Sequence, residues 1–202
     1  MLEKVFKKLF KKVLTVHKEK TIIDLGVRQG KKKYEEMVRM QKMTSANTSI
    51  NKGKLPASTK KINWEQYRGQ KALDIGGGKF DNLKDHLKAE YDIDLYIYDK
   101  FNRTAEENVK ALSCEPQVVI CNNVLNVIDA NEVVEEIVAR IVGYTVCFDA
   151  DAYVSVYEGD KTGKGRVTKK DCYQRNERLT EYLKFFKRWN VESRIEKGMI
   201  RL

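Results

Sequence analysis

The stretch Leu73-Asp74-Ile75-Gly76-Gly77-Gly78-Lys79-Phe80-Asp81-Asn82 decides how this chain is read. The residues leading into it, KALDI (71–75), form a short apolar strand pattern that runs straight into three glycines. A strand that ends in glycines and opens a helix lets the backbone approach a ligand closely, because no Cβ stands in the way. A glycine run by itself is a weak signal. Here it has three supports: the strand before it, a helix from about Asn82 to Glu90 after it, and Asp99 at the end of the next strand pattern, DLYIYD (94–99). Asp99 stands 23 residues beyond Gly76, where a carboxylate is placed to accept hydrogen bonds from ribose hydroxyls.

Two nucleotide patterns fail on these residues. A dinucleotide site needs G-x-G-x-x-G, and position 81 is Asp, which also repels a pyrophosphate. A phosphate loop needs Gly-Lys-Ser/Thr, and Lys79 is followed by Phe80. An acid before the glycines and polar groups after them suit a zwitterionic amino acid joined to adenosine.

Outward from this core, TAEENVKAL (104–112) predicts a helix capped by Thr104, with Glu106 and Glu107 favourable in its first turn. QVVICNN (117–123) predicts a buried strand, and NEVVEEIVARIV (131–142) an amphipathic helix. YTVCF (144–148) and AYVSVYE (152–158) are both strand-like, which leaves the place of the next core strand open. YQRNERLTEYLKFFKRW (173–189) predicts a long helix and VESRIEKGMIRL (191–202) a closing hairpin. Strands alternating with helices imply an α/β, Rossmann-like, mainly parallel sheet over residues 71–202, with helices on both faces.

The chain before position 71 differs. Residues 1–70 hold 18 Lys/Arg against 6 Asp/Glu, whereas 71–202 hold 21 against 23. A basic front on a near-neutral body points to an anionic partner, either nucleic acid (DNA or RNA) or a lipid surface. Residues 2–16 follow helical spacing, with Leu2, Phe6, Leu9 and Phe10 on one face and Lys4, Lys7, Lys8, Lys11 and Lys12 on the other. Such a helix packs on the protein's own body, lies on a membrane surface or clamps phosphates. A second helix is expected from Lys32 to Met43, and residues 44–60 read as a linker or a lid loop. The front is thus a basic helical extension.

At 42% hydrophobic and 34% charged residues over 202 positions, the chain is neither collagenous, wholly disordered nor a disulfide scaffold. No apolar run reaches the roughly 18 residues of a membrane span. Lysines break any secretory signal core at the start. Cys114, Cys121, Cys147 and Cys172 contain no C-x-x-C pair, and His17 and His86 are too scattered for a metal site. Free thiols fit a reducing cytoplasm.

The segments LDIGGGKFDN, YDKFNRT, NNVLNVI and VYEGDKTGKGR, with Asp74, Gly76, Gly78 and Asp99 at their expected places, resemble the Rossmann-like S-adenosylmethionine-dependent methyltransferases. More narrowly, with NTSINKGKLP added, they are similar to small methyltransferase-like proteins of phages and mobile elements, for which the host cytoplasm is the expected compartment. The resemblance covers roughly residues 70–202. It implies that Gly76, Gly77 and Gly78 back the methionine part of the cofactor, that Asp74 or Asp81 meets its amino group with Asn82 nearby, that Asp99 holds the ribose, and that Phe101 stacks near the adenine. It implies that Asn122 and Asn123 floor the site beside the methyl group; the alternative is a strand-end turn, since Asn tolerates left-handed backbone. The usual third strand, between Asp99 and Gln117, is short or missing.

The acceptor is narrowed by exclusion. Exocyclic-amine methylation of bases goes with an Asp/Asn/Ser-Pro-Pro-aromatic segment, and this chain has Asn122-Asn123-Val124-Leu125. Cytosine-carbon methylation needs a nucleophilic cysteine, and Cys121 sits inside a buried strand pattern. Tyr157 and Glu158, ending a strand pattern before GDKTGKGR (159–166), are candidates for positioning or for a base. That loop either closes over an acceptor with Lys164 and Arg166 on phosphate or is a solvated turn. The expectation is methyl transfer by in-line positioning, with a nucleic-acid acceptor; the alternatives are a small-molecule or protein acceptor, or a non-enzymatic binding module.

Overall fold

A computed structural model describes residues 43–48 and 53–202. The expected helices at 2–16 and 32–43 lie outside them, apart from Met43. Among the described residues there are eight strands: β1 (Lys71–Ile75), β2 (Asp94–Tyr98), β3 (Val118–Asn122), β4 (Asp151–Ser155), β5 (Arg166–Lys169), β6 (Cys172–Gln174), β7 (Arg194–Glu196) and β8 (Met199–Arg201). Six form one sheet in the order β2-β1-β3-β4-β8-β7, while β5 and β6 make a separate two-stranded ribbon. β1 to β4 pair in parallel, and β8 runs antiparallel to β4 and to β7. The dinucleotide-binding order, 3-2-1-4-5-6, has no such inserted antiparallel strand.

The parallel strands are joined by helices α1 (Asn82–Tyr91), α2 (Ala105–Leu112) and α3 (Asn131–Phe148); α4 (Leu179–Lys187) precedes the closing hairpin. Strand alternation divides the core in two. Leu73, Ile75, Val119, Cys121, Ala152 and Val154 face α3 and α4, whose Val138, Ile141, Tyr182 and Phe186 are buried against them. Ala72, Ile97, Val118, Ile120 and Tyr153 face the opposite way, under Leu83 and Leu87 of α1. That second layer is completed from upstream of position 71 by Ile62, Trp64 and Tyr67, each no more than 6% exposed. The Trp64 indole N–H donates to Thr59 O at 2.8 Å, which fixes the 3-10 turn Ala57–Lys61 against this face.

Two expectations change. The strand-like YTVCF is the C-terminal end of α3, because the Tyr144 side chain is needed in the core, with its hydroxyl on Leu112 O at 2.7 Å. The left-handed Asp149 (φ 56°) then ends the helix, and AYVSVYE supplies β4. The long helix expected over 173–189 starts only at Leu179. Its first residues are drawn into β6, where Cys172 and Gln174 are buried, and Asn176 (φ 57°) breaks the chain direction. α2 carries the capping box that Thr104 announced, with Glu107 as its reciprocal partner. Between β2 and β3 the chain contains α2 and no strand, so β2 is the edge of the sheet. Among the described residues no helix is long and apolar enough to cross a membrane.

Candidate functional site

The glycine segment leaves the carboxyl end of β1, where open parallel sheets place ligands. Gly76 (φ 78°) and Gly78 (φ 75°) occupy left-handed backbone. The Gly76 N–H donates to Tyr98 O at 2.7 Å, tying the loop to the end of β2. A Cβ at Gly76 would stand 2.4 Å from Val124 Cγ2, and one at Gly77 would stand 2.6 Å from Asp74 Oδ2. The loop therefore passes too close to its neighbours for any side chain at either position.

Asp99 is the pin of this loop. Its Oδ2 accepts the Gly78 N–H at 2.9 Å, and its Oδ1 accepts the backbone N–H groups of Phe101 and Asn102, both at 2.9 Å, and the Asn102 amide at 3.0 Å. The Asn108 side chain brackets its backbone from α2. Of the four lone-pair positions of a carboxylate, one on Oδ2 stays open among the described residues. Asp99 thus shapes the cradle as well as facing it. Phe101, at 43% exposure, stands out from the same turn.

Arg103, which sequence reasoning missed, clamps the loop from the other side. Its Nε donates to Gly78 O at 2.8 Å and its guanidinium pairs with Asp81 at 2.7 Å. Asp81 is thereby engaged, so of Asp74 and Asp81 the carboxylate left facing the cradle is Asp74. The signal was available: an acid beside a glycine loop calls for a cation, and Arg103 lies at the end of the neighbouring strand's turn.

Asp74 is 4% exposed, and its Oδ1 has no hydrogen-bond partner among the described residues. Burial first, then the nearby Asp99, push its carboxyl up to about 7, opposed by Arg103. Asn122 lies on the same sheet face, on the adjacent strand, two residues beyond Ile120, which pairs with Asp74. Its Oδ1 accepts from Ser58 Oγ at 2.6 Å and Ser155 Oγ at 2.9 Å, while its Nδ2 is buried without a partner among the described residues. One face of the sheet end thus holds an unpaired acceptor and an unpaired donor, under a turn carrying Ser58. Ser58 and Ser155, also missed, carry no pattern that marks them in sequence.

The other candidates sit differently. Asn82 opens α1 just past the glycines. Asn123 is exposed and left-handed (φ 57°), with its N–H on Ser155 O at 2.8 Å. Glu158 accepts the Leu179 N–H at 2.6 Å and pairs with Lys161 at 3.0 Å, which hold its carboxyl below the usual range. It serves the start of α4. Tyr157 is 64% exposed, outside the cradle. Cys121 is fully buried on the opposite sheet face, and burial pushes its thiol up, the reverse of what a nucleophile needs.

A strap crosses the strand ends. Ser45, 5% exposed, donates its hydroxyl to Val127 O at 2.7 Å and accepts the Tyr173 N–H at 3.1 Å, while Thr44 reaches Asp171 at 3.0 Å. Residues 44–48 of the expected lid or linker are therefore anchored to the loop after β3 and to the ribbon. No family model, no curated protein and no solved structure matches this chain.

Proposed function

We propose that this protein is an S-adenosylmethionine-dependent methyltransferase acting on nucleic acid. The observation that carries the reading is the pairing of a side-chain-free glycine cradle with an unpartnered buried carboxylate, Asp74, and an unpartnered buried amide, Asn122 Nδ2. Unsatisfied buried polar atoms cost about 1–3 kcal/mol each, and a ligand with an ammonium and an acceptor oxygen relieves both. The residues therefore fit the cofactor: Asp74 for the amino group, the Gly76–Gly78 backbone for the methionine chain, Asp99 Oδ2 for the ribose. When bound, the cofactor supplies an electrophilic methyl group on a sulfonium.

The chain's own contribution is positioning. Asn122, held by Ser58 and Ser155, presents its amide N–H to an acceptor or to the cofactor's oxygen. Neither candidate base faces the cradle, since Glu158 is engaged at α4 and Tyr157 stands exposed outside it, and the one unpaired carboxylate there, Asp74, is taken in this reading by the cofactor's amino group. Transfer in this reading needs alignment of a nucleophile that is already competent.

The same lack of a base favours a second reading, a module that binds cofactor and nucleic acid without transfer. Calorimetry with S-adenosylmethionine and with its demethylated product, followed by mass analysis of DNA, RNA, protein and small-molecule acceptors, tests both. Saturable binding with a mass gain of one methyl on nucleic acid is the expected result. Binding without any methylated product selects the module, and absence of binding overturns both.

A further inference from the structure

The ribbon of β5 and β6 lies beside this cradle and contributes little to the core. Residues 160–171 (DKTGKGRVTKKD) are all exposed, and β5 is exposed along its whole length. They hold five Lys/Arg against two Asp, in a body (71–202) that is otherwise slightly acidic. Some of this charge is spoken for: Lys161 pairs with Glu158 and Lys169 reaches Asn47 O, whereas Arg166 makes only a solvent-exposed contact of 3.5 Å with Asp160, which a phosphate can displace. Lys164 and Lys170 have no anionic partner among the described residues.

The base of the ribbon is firm. Gln174 accepts from the Asn126 amide at 3.0 Å and donates to Tyr157 O at 2.9 Å. The fully buried Asn176 donates to Lys164 O at 2.9 Å and accepts the Gly163 N–H at 2.9 Å through its backbone carbonyl. Lysines on a free edge strand also discourage strand-to-strand aggregation. That purpose does not account for Val167 at 55% exposure on the same strand, nor for Tyr157 at 64% where the chain leaves β4 for the ribbon. Together with Phe101, which follows β2, these are three of the five exposed large hydrophobics among the described residues. Cations on a firm ribbon, with the exposed Tyr157 ring at its foot, are the chemistry of a polyanion whose bases can stack.

We infer that this ribbon is a nucleic-acid docking surface, taking backbone phosphates on Lys164, Arg166 and Lys170 and a base face on Tyr157. It deepens the proposed function, because it sets the acceptor's contact beside the crevice mouth, but binding is measurable without any transfer. A two-stranded ribbon also has the width to enter a duplex major groove, so single- and double-stranded probes separate the two modes.

The test uses the full chain, fluorescein-labelled mixed-sequence single-stranded DNA, single-stranded RNA and duplex DNA, and anisotropy titrations between about 50 and 200 mM salt. In K164Q/R166Q/K170Q the slope of log affinity against log salt should flatten by about 2–3, at roughly 0.7–0.9 for each phosphate no longer neutralised. Tyr157→Ala should weaken single-stranded binding severalfold and leave the slope unchanged, because stacking releases no counterions. Unchanged thermal unfolding and cofactor titration certify that each variant is folded. Wild-type affinity and slope in the triple variant overturn the inference, as does binding by the ribbon of anionic lipid vesicles in place of oligonucleotide. If the variant loses oligonucleotide while neither protein binds cofactor, the ribbon inference stands and the methyltransferase reading falls. If cofactor binds and methyl reaches another acceptor with no oligonucleotide bound, the reverse holds.

Discussion

Asp74→Asn should change how stability depends on pH. The wild-type carboxyl is buried without a hydrogen-bond donor on its Oδ1 and next to Asp99, which moves it from an ordinary 3.8 up to about 7. At 1.36 kcal/mol per unit, keeping it ionised in the folded protein costs about 4 kcal/mol. The sign follows from proton counting. Between roughly pH 4 and 7 the native state holds a proton that the unfolded chain has released, so stability falls as pH rises through this window and is flat above it. The amide that replaces the carboxyl in the variant does not titrate, and any cost of its own unpaired atoms is the same at every pH. Urea unfolding of both proteins, without ligand, at about pH 4, 6 and 8 therefore isolates the charge. The difference in stability should swing toward the variant by about 4 kcal/mol across that range. A ligand carrying an ammonium should bind the wild type more tightly over the same rise, and the variant should lose that dependence. Parallel stability curves would refute the argument that Asp74 is a desolvated, unpaired acid.

Gly76→Ala should destabilise by about 2–4 kcal/mol in the same assay, since it combines left-handed strain with a Cβ driven into Val124, and Val124→Ala should recover only the steric part. Asn123→Gly should leave both stability and turnover near wild type because the position needs only its left-handed backbone, whereas Asn122→Ala should lower turnover about tenfold or more; mass-detected methyl transfer checks both. Glu158→Gln should cost about 1 kcal/mol of stability at neutral pH, on the scale of a lost helix cap. Because the Leu179 N–H and Lys161 hold that carboxyl low, its contribution is present above an ordinary 4.5 and lost as pH falls below it, so the two unfolding curves should converge in acid.

Much of the frame was legible because it rests on local chemistry. The short apolar run KALDI, the alternation in DLYIYD, the capping box at Thr104 and the turn between β7 and β8 each express a preference of a few neighbouring residues. Misreadings arose where burial overruled such preference. YTVCF has the β-branched and aromatic composition of a strand, yet the core on the α3 side needed Tyr144 at helical spacing. The residues at 173–178 have helical texture, yet Gln174 is claimed by Asn126 and by Tyr157 O in β6.

Of the site, sequence alone determined the glycines, Asp74 and Asp99, because their chemistry requires particular residue types at a short, fixed spacing along one strand-turn-helix unit. The tertiary structure decided what each acid does. Asp81 and Asp74 are equivalent on paper; Arg103, 22 residues beyond Asp81, pairs with one and leaves the other buried and unsatisfied. Asn122 and Asn123 are chemically identical neighbours, and the end of β3 turns one toward Ser58 and Ser155 while the left-handed bend just beyond it puts the other out to solvent. Glu158 lost its candidacy as a base to a helix start 21 residues away. A side chain's type is local information, but its partner, and with it the charge, exposure and direction that make it functional, is set by which distant segments the packed sheet brings beside it.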